Sequence, residues 1–432
     1  MQKLQKERKL ISDLNESDEG KERTIAGWLY DIRDLGKIRF VLVRDVSGIL
    51  QVTAFKGESD SKVYDIMGKT SRESVVVVKG KIVKNAKAPS GRELVPDSFE
   101  VLSVAEQPLP VDVSDFSKTE ISKRLDYRFL DLHRKKIQAI FKIQSEISMS
   151  FREFFKDNKF IEVQLPSVIS ASSEGGTELF SVKYFEKEAY LAQSPQLYKQ
   201  MLACSMEKIF TITPVWRAEK HNTIRHLNES RQMDIELAFA DDFCVMEWLE
   251  KVVCYMVKNI KDNCKEELKL LEVEPVVPSS KYLSYEEAVD ILNKHKVKMK
   301  MGDDFSPESE RKFNDLYPNT IVFIYRWPSN IKPFYIMPLD DKKSAGFDAI
   351  YQGMEISSGG QRIHDPEVLT KILKKKGMNP KDFESYIDSF RYGAPPHAGW
   401  SIGLERFTML VLGLGNIREA VLFPRDRTRL TP

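Results

Sequence analysis

The charged residues between Val215 and Phe239 are spaced for chemistry. Arg217 and Glu219 stand two apart near the start, and Asp234 and Glu236 stand two apart near the end. In a strand, that spacing puts each pair on one face. Between them runs a polar stretch, His221 to Arg231, with Arg225, His226 and Leu227 in succession. The pattern predicts strand, long loop, strand, with both signs of charge facing one way. A solvated hairpin with salt-bridged edges fits the same spacing. A second stretch, Phe347 to Arg362, carries carboxylates at Asp348 and Glu355, read as the two ends of one strand-like run. Ser357, Ser358, Gly359 and Gly360 follow, small enough for a ligand to approach the backbone, and Arg362 then offers a fork for a carboxylate or phosphate. Paired hard oxygen donors beside a phosphate site suit Mg²⁺ better than a transition metal. A hairpin with a polar turn is the plainer alternative. In a third stretch a glycine-rich strand runs through Gly403 into a helix with Arg406 in its first turn. A cation there opposes the helix dipole unless an anion binds at that end.

The rest of the chain must hold these groups in place. Its 432 residues suffice for two or three domains, and 42% hydrophobic with 30% charged residues suits a globular protein. The net charge is only +2, so a polyanion must be met by a local basic patch. Cys204, Cys244, Cys254 and Cys264 show no zinc-ligand spacing and read as free thiols of a reducing compartment. The first residues are charged and contain no apolar signal core. No apolar run is long enough to span a bilayer. A cytoplasmic location without a membrane partner is the expectation.

Residues 24–104 read as five short strands with glycine turns, a compact barrel that an OB-fold would fit. Arg33, Arg39, Phe40 and Gln51 lie on its outer strands, the kind of face on which such barrels stack unpaired bases. An ordinary strand with Phe40 in the core fits as well. Domain boundaries are expected at residues 1–105 for the barrel domain, 106–130 for a linker and 131–432 for the rest. Helical spacing runs from Lys136 to Phe155, rich in phenylalanine and calling for a large partner surface, a sheet or a second subunit. Phe160 to Pro166 reads as a strand, Ser172 to Glu178 as a mobile lid or plain turn, and Ala192 to Lys199 as leading into a helix that continues to Met206, with Pro195 near its start. Residues 240–265 form another amphipathic helix. Residues 270–330 read as an insertion or sub-domain without chemistry.

Together these stretches resemble the class II aminoacyl-tRNA synthetases. Phe160–Pro166, Trp216-Arg217-Ala218-Glu219 and Gly403-Leu404-Glu405-Arg406 are similar to the three motifs of that family and stand in its order. The N-terminal barrel narrows this to subclass IIb. Gln193–Lys199, Arg225–Asn228 and Glu355–Arg362 resemble its archaeal-type aspartyl branch. The resemblance implies an α+β fold, an antiparallel sheet flanked by helices behind an OB-fold anticodon-binding barrel, assembled as a homodimer. It implies a ligase that uses ATP and Mg²⁺ to activate L-aspartate and passes it to the 3′ end of tRNA(Asp), with no DNA partner. On the family pattern Arg217, Arg406 and Glu355 are catalytic. Glu174, Gln196, Lys199, Arg217, Asp234, Ser358 and Arg362 bind aspartate, with Asp234 on the ammonium and Lys199 and Arg362 on the side-chain carboxylate. Arg217, Glu219, Arg225, His226, Leu227, Glu355, Gly403 and Arg406 bind ATP, and Glu355, Ser358 and Asp348 hold the metal. Arg33, Phe40 and Gln51 meet the anticodon. Ser230 stands where many members carry an aromatic platform for adenine, leaving His226 to cover it. Tyr30 and Pro89 are positions that separate members strict for tRNA(Asp) from those that also charge tRNA(Asn), and Pro89 favours the strict kind. An asparaginyl enzyme, an amide-forming ligase and a non-catalytic RNA-binding protein are the alternatives. The asparaginyl enzymes lack a lysine at the Lys199 position, and the barrel argues against the amide-forming ligase.

Overall fold

The computed structural model describes residues 2–170 and 179–432, and the chain divides into two compact units at residues 110/111. In the first unit, strands β1 (Glu22–Asp34), β2 (Ile38–Arg44), β3 (Ile49–Phe55), β4 (Val75–Lys84) and β5 (Arg92–Ser103) close a barrel in the order β1-β2-β3-β5-β4. Alternation along each strand makes it close. Val41, Val43, Val52, Val76 and Val78 are fully buried inside, while the residues between them face out. Helix α1 (Ser61–Lys69), which the strand pattern did not predict, packs Val63, Tyr64 and Met67 into the same core.

The second unit is built on an eight-stranded sheet. Its strands are β6 (Ile161–Glu162), β7 (Lys208–Trp216), β8 (Glu229–Ala238), β9 (Ser279–Ser284), β10 (Thr320–Tyr325), β11 (Gly346–Tyr351), β12 (Met354–Gln361) and β13 (His397–Gly403). Their order is β9-β10-β11-β12-β13-β8-β7-β6. The inner pairings are antiparallel, and only the outermost pairs, β9·β10 and β7·β6, are parallel. Helices α2 (Lys135–Asp157) and α4 (Asp242–Asn263) cover one face. Phe151, Phe155, Leu249, Val253 and Met256 pack there on Phe210, Ile235, Phe347 and Trp400. Helix α3 (Gln196–Met206) contributes Lys199 to the opposite side of β8, where Asp234 and Glu236 point.

Several expectations are corrected. The strand expected over Phe160–Pro166 shrinks to Ile161–Glu162, because only Ile209 and Phe210 are in register beside it. Residues 111–130, expected as linker, belong to the second unit, which contains helices Ile121–Asp126 and Arg128–Asp131. Asp131, 1% exposed, is held by Arg124, Arg128 and Arg134, and Arg128 donates to three carbonyls of residues 419–422, so the segment is pinned. Residues 270–330 are no separate body, since β9 and β10 extend the central sheet, though Tyr285, Phe313 and Trp327 form a local core. Asp348 and Glu355 sit on two strands of a hairpin, not one run, because Gln352 and Gly353 adopt positive φ and turn the chain. The large partner surface expected for the phenylalanines of α2 is the first of the two alternatives, the sheet, joined by Phe160 and Trp248.

Candidate active site

A cavity of about 340 Å³ opens on the face of the sheet away from α2 and α4, and it draws on residues separated by most of the second unit. Its lining includes Gln196 and Lys199 from α3, Arg217, Glu219, Arg225, His226, Leu227 and Ser230 around the β7–β8 loop, and Glu355, Ser358 and Arg362 on and just beyond β12. Gly403, Glu405 and Arg406 come from the β13–α9 junction, where α9 is Leu404–Val411.

One end is a buried charge quartet. Asp234 and Glu236 are 0% exposed, Lys199 is 1% and Arg362 is 2%. Lys199 Nζ lies 2.8 Å from Asp234 and 3.4 Å from Glu236, and it also donates to the carbonyls of Ile235 and Trp400. Its hydrogens are thus spent within the protein. Asp234 accepts one bond at each oxygen, from Lys199 and, at 3.1 Å, from the Ser401 hydroxyl, so each oxygen keeps a lone pair for a further donor. Arg362 donates twice to Glu236, at 2.9 and 3.4 Å. A guanidinium has five N–H groups, so a donor edge of Arg362 is left for the cavity. Burial pushes the Glu236 carboxyl up, but Arg362 and Lys199 outweigh it and hold the group below its ordinary value. Gly399 on β13 makes room for this carboxylate, since a Cβ there would stand 2.2 Å from a Glu236 oxygen.

The β11–β12 hairpin shapes the middle. Glu355 and Ser358 are three apart, which in a regular strand puts them on opposite faces. A register shift between Ala349 and Ile350 inserts one extra residue on β12, and Glu355 then shares a face with Asp348, Ser358 and Arg362. Burial and the nearby Asp348 charge push the Glu355 carboxyl up to about 7, against the pull of Arg406 and Lys332. Asp348 itself, 7% exposed, gives both oxygens to Lys332 Nζ at 2.6 Å. Its charge is thus balanced by Lys332 beside Glu355. Among the described residues no cluster of three metal-binding side chains exists. Glu355 and the exposed Ser358 hydroxyl fit a hard cation that brings its remaining oxygens from a nucleotide.

The outer end is cationic. The chain leaves β7 at Trp216, so Arg217 and Glu219 lie in the loop, not on the strand expected for them; the backbone bond from Arg217 N to Asn228 O is all that continues the ladder. Asn228 also ties the loop by donating to the carbonyls of Arg217 and Glu219. Arg217 and Glu219 approach to 3.8 Å. Arg225 pairs with Glu310 at 3.2 Å, and Arg406 donates to the Glu355 carbonyl at 2.9 Å. His226 Nδ1 meets Thr223 Oγ1 at 2.7 Å, and burial lowers its pKa. Ser230 lines the cavity beside Leu227 and Ile417.

Glu310, Gln200 and His397 escaped the sequence, and Glu405 of the third motif was given no role there. Glu310 comes from the stretch read as lacking chemistry, on helix α6 (Pro307–Leu316), where α5 is Tyr285–Lys294. Its burial, against the pull of Arg225 and Arg406, raises its pKa. Glu405 accepts twice from the Arg231 backbone N–H, and burial pushes it up to about 7. Gln200 and His397 join behind Gln196. The ion pairs depend on contacts between residues up to 126 apart, and no local spacing announces them. Glu174 and the expected lid at Ser172–Glu178 lie outside the described residues apart from their flanks.

On the barrel, Arg33 and Phe40 are direct cross-strand partners, and Gln51 faces Leu42 two residues further on, so all three share the outer face. Gln51 Nε2 donates to Glu93 at 2.7 Å, which turns its carbonyl oxygen outward. Tyr30 lies under the Arg44 guanidinium at 5.0 Å, and Pro89 is exposed between β4 and β5.

Comparison with known proteins agrees with this geometry. Residues 120–427 match the model of the class II tRNA synthetases (D, K and N), and residues 24–102 match that of the OB-fold nucleic acid binding domain. An "Aspartate--tRNA(Asp/Asn) ligase" of Methanocaldococcus jannaschii is 47% identical over 427 residues, covering 98% of this chain and 97% of the relative. A relative of the same name from Archaeoglobus fulgidus is 44% identical over 426 residues, covering 98% and 99%. The solved asparaginyl-tRNA synthetase of Pyrococcus horikoshii, complexed with asparaginyl-adenylate, superposes with a TM-score of 0.92 at 34% identity, covering 99% of this chain and 100% of that one. The aspartyl tRNA synthetase of Entamoeba histolytica does so with 0.88 at 33%, covering 98% and 93%. With its barrel, its sheet and its motifs matched over nearly the whole length, the chain belongs to the class II tRNA synthetases of the D, K and N group.

Proposed function

We propose that the protein is an aspartate–tRNA ligase. It joins L-aspartate to the α-phosphate of ATP, releasing pyrophosphate, and then passes the aspartyl group from the adenylate to the 3′ end of tRNA. The observation that carries this reading is the donor edge of buried Arg362. Lys199 neutralises the acids beneath it, so the guanidinium keeps N–H groups for a side-chain carboxylate. An asparagine amide would place its own N–H groups against that edge, where nothing would accept them.

The remaining residues divide the work by charge. Arg217 takes the α-phosphate and the carboxylate that attacks it, Glu219 reads the adenine amino group, and Arg225, His226 and Arg406 take the outer phosphates and the adenine. Positioned cations are the main catalytic means where negative charge gathers in a transition state. Glu355 and Ser358 would hold Mg²⁺ against the phosphates, where it would neutralise part of that charge. Asp348 stands beside them, paired with Lys332.

The relatives, named as ligases for tRNA(Asp/Asn), favour acceptance of both tRNA(Asp) and tRNA(Asn) over the strict reading that Pro89 suggested. A homodimer is supported by the sheet edge at β6, where Ile161 is 47% exposed, and by nearby Val168, 42% exposed. Aspartate-dependent exchange of pyrophosphate into ATP tests the first step, and exchange with asparagine alone would overturn it. Charging of purified tRNA(Asp) and tRNA(Asn) side by side tests the second. Rejection of tRNA(Asn) would restore the strict form.

A further inference from the structure

His397, fully buried at the start of β13, is joined to the cavity by a chain of hydrogen bonds whose directions can be worked out from one end. Its Nδ1 lies 2.9 Å from the Pro395 carbonyl oxygen, which can only accept, so Nδ1 carries a proton. In the neutral ring, Nε2 is then a bare acceptor. It lies 3.0 Å from Nε2 of Gln200, which must donate to it. That sets the Gln200 amide: its Oε1 points away from the ring and accepts from the Tyr386 hydroxyl at 2.9 Å and from Nε2 of Gln196 at 2.8 Å. The Gln196 amide is set in turn. Its nitrogen faces inward, and among the described residues nothing donates to its Oε1, which is left to the cavity that Gln196 lines.

We infer that His397 is a positioning residue for the amino-acid subsite, holding the Gln196 carbonyl oxygen toward the cavity as an acceptor for the substrate ammonium, with Gln200 as the relay. This rests on the reading of the cavity as an aspartate site. The relay runs on one proton. An imidazolium donates from both nitrogens, so Gln200 must turn its Oε1 to the ring and its nitrogen to Gln196. Gln196 then turns as well and presents N–H groups to an ammonium. The charged and titratable groups around His397 are Glu236 on β8, Arg362 and His364 beyond β12, Tyr386 on helix Glu384–Arg391 and Cys204 on α3. Burial holds the His397 pKa below its ordinary value although Glu236 pulls it up.

The test is aspartate-dependent pyrophosphate exchange by the full chain from about pH 4.5 to about pH 8, because burial puts the titration of His397 below its ordinary value. KM for aspartate is expected to rise about tenfold as pH falls through the titration of His397, with KM for ATP steady, the worth of one hydrogen bond to a charged group. His397→Gln keeps an acceptor at that depth but cannot titrate, so it is expected to flatten the profile. His397→Leu is expected to raise KM for aspartate at every pH while kcat changes little. A flat wild-type profile, an equal slope in His397→Gln, or a parallel rise in KM for ATP would overturn the relay. Exchange driven only by another amino acid, with the same slope lost in His397→Gln, would uphold the relay and overturn the aspartate reading.

Discussion

At the scale of residues, the site is governed by how four buried charges cancel. Lys199, Arg362, Asp234 and Glu236 are stable out of water only because each has an opposite partner within 3.4 Å. Removing one leaves another uncompensated. Lys199→Met is expected to cost about 3–5 kcal/mol in urea unfolding. Adding Asp234→Asn should recover much of that loss without restoring aspartate-dependent exchange, because the field at Arg362 is no longer set. Glu405 gives a second prediction. Its carboxyl is raised from 4.5 to about 7 by burial, so the folded state holds its proton more tightly than the unfolded chain. The fold therefore benefits fully below about pH 4.5, and the benefit is lost as pH rises to about 7. Glu405→Gln keeps an acceptor for Arg231 and removes the titration. Its melting temperature relative to wild type should climb between pH 5 and pH 8, by the equivalent of roughly 3 kcal/mol. A constant difference between the two would show that Glu405 is ionised throughout.

At the scale of elements, the site depends on small departures from regular strands. The bulge on β12 turns Glu355 onto the face of Ser358 and Arg362, and the bend after β7 frees Arg217 and Glu219 from the sheet. The close pairing of β8 with β13 depends on Gly399. A methyl group there would meet the Glu236 carboxylate and the Ile235 carbonyl at 2.2 and 2.3 Å, both of which are held in place. Gly399→Ala is expected to destabilise the protein by about 3 kcal/mol or more and to raise KM for aspartate. Gly415→Ala, with nothing within 4 Å of the added atom, is the control. Equal unfolding midpoints for the two variants would show that the sheet yields at Gly399.

At the scale of the molecule, the two compact units offer two kinds of surface. The sheet unit lines a cavity with buried charge, while the barrel presents Arg33, Phe40 and Gln51 on one outer face. Phe40→Ala should lower kcat/KM for tRNA charging by the worth of one stacked base, about 1–3 kcal/mol, and leave pyrophosphate exchange unchanged. Loss of exchange in that variant would mean that Phe40 supports the fold rather than a base.

Much of this was legible in the chain. Short strands between glycine turns announced the barrel, apolar spacing announced α2 and α4, and the separation of Asp234 from Glu236 put both carboxylates on one face, because strand and helix periods are local properties of the backbone. The motif resemblance named many of the residues that the fold brings to one cavity. What local spacing could not convey was who partners whom. That Asp234 serves Lys199, that Asp348 serves Lys332, that Glu310 reaches Arg225, and that His397 speaks to Gln196 through Gln200 are decided by contacts between segments 16 to 197 residues apart. A charge needs its opposite wherever burial removes water, and only the folded chain determines which opposite is near enough.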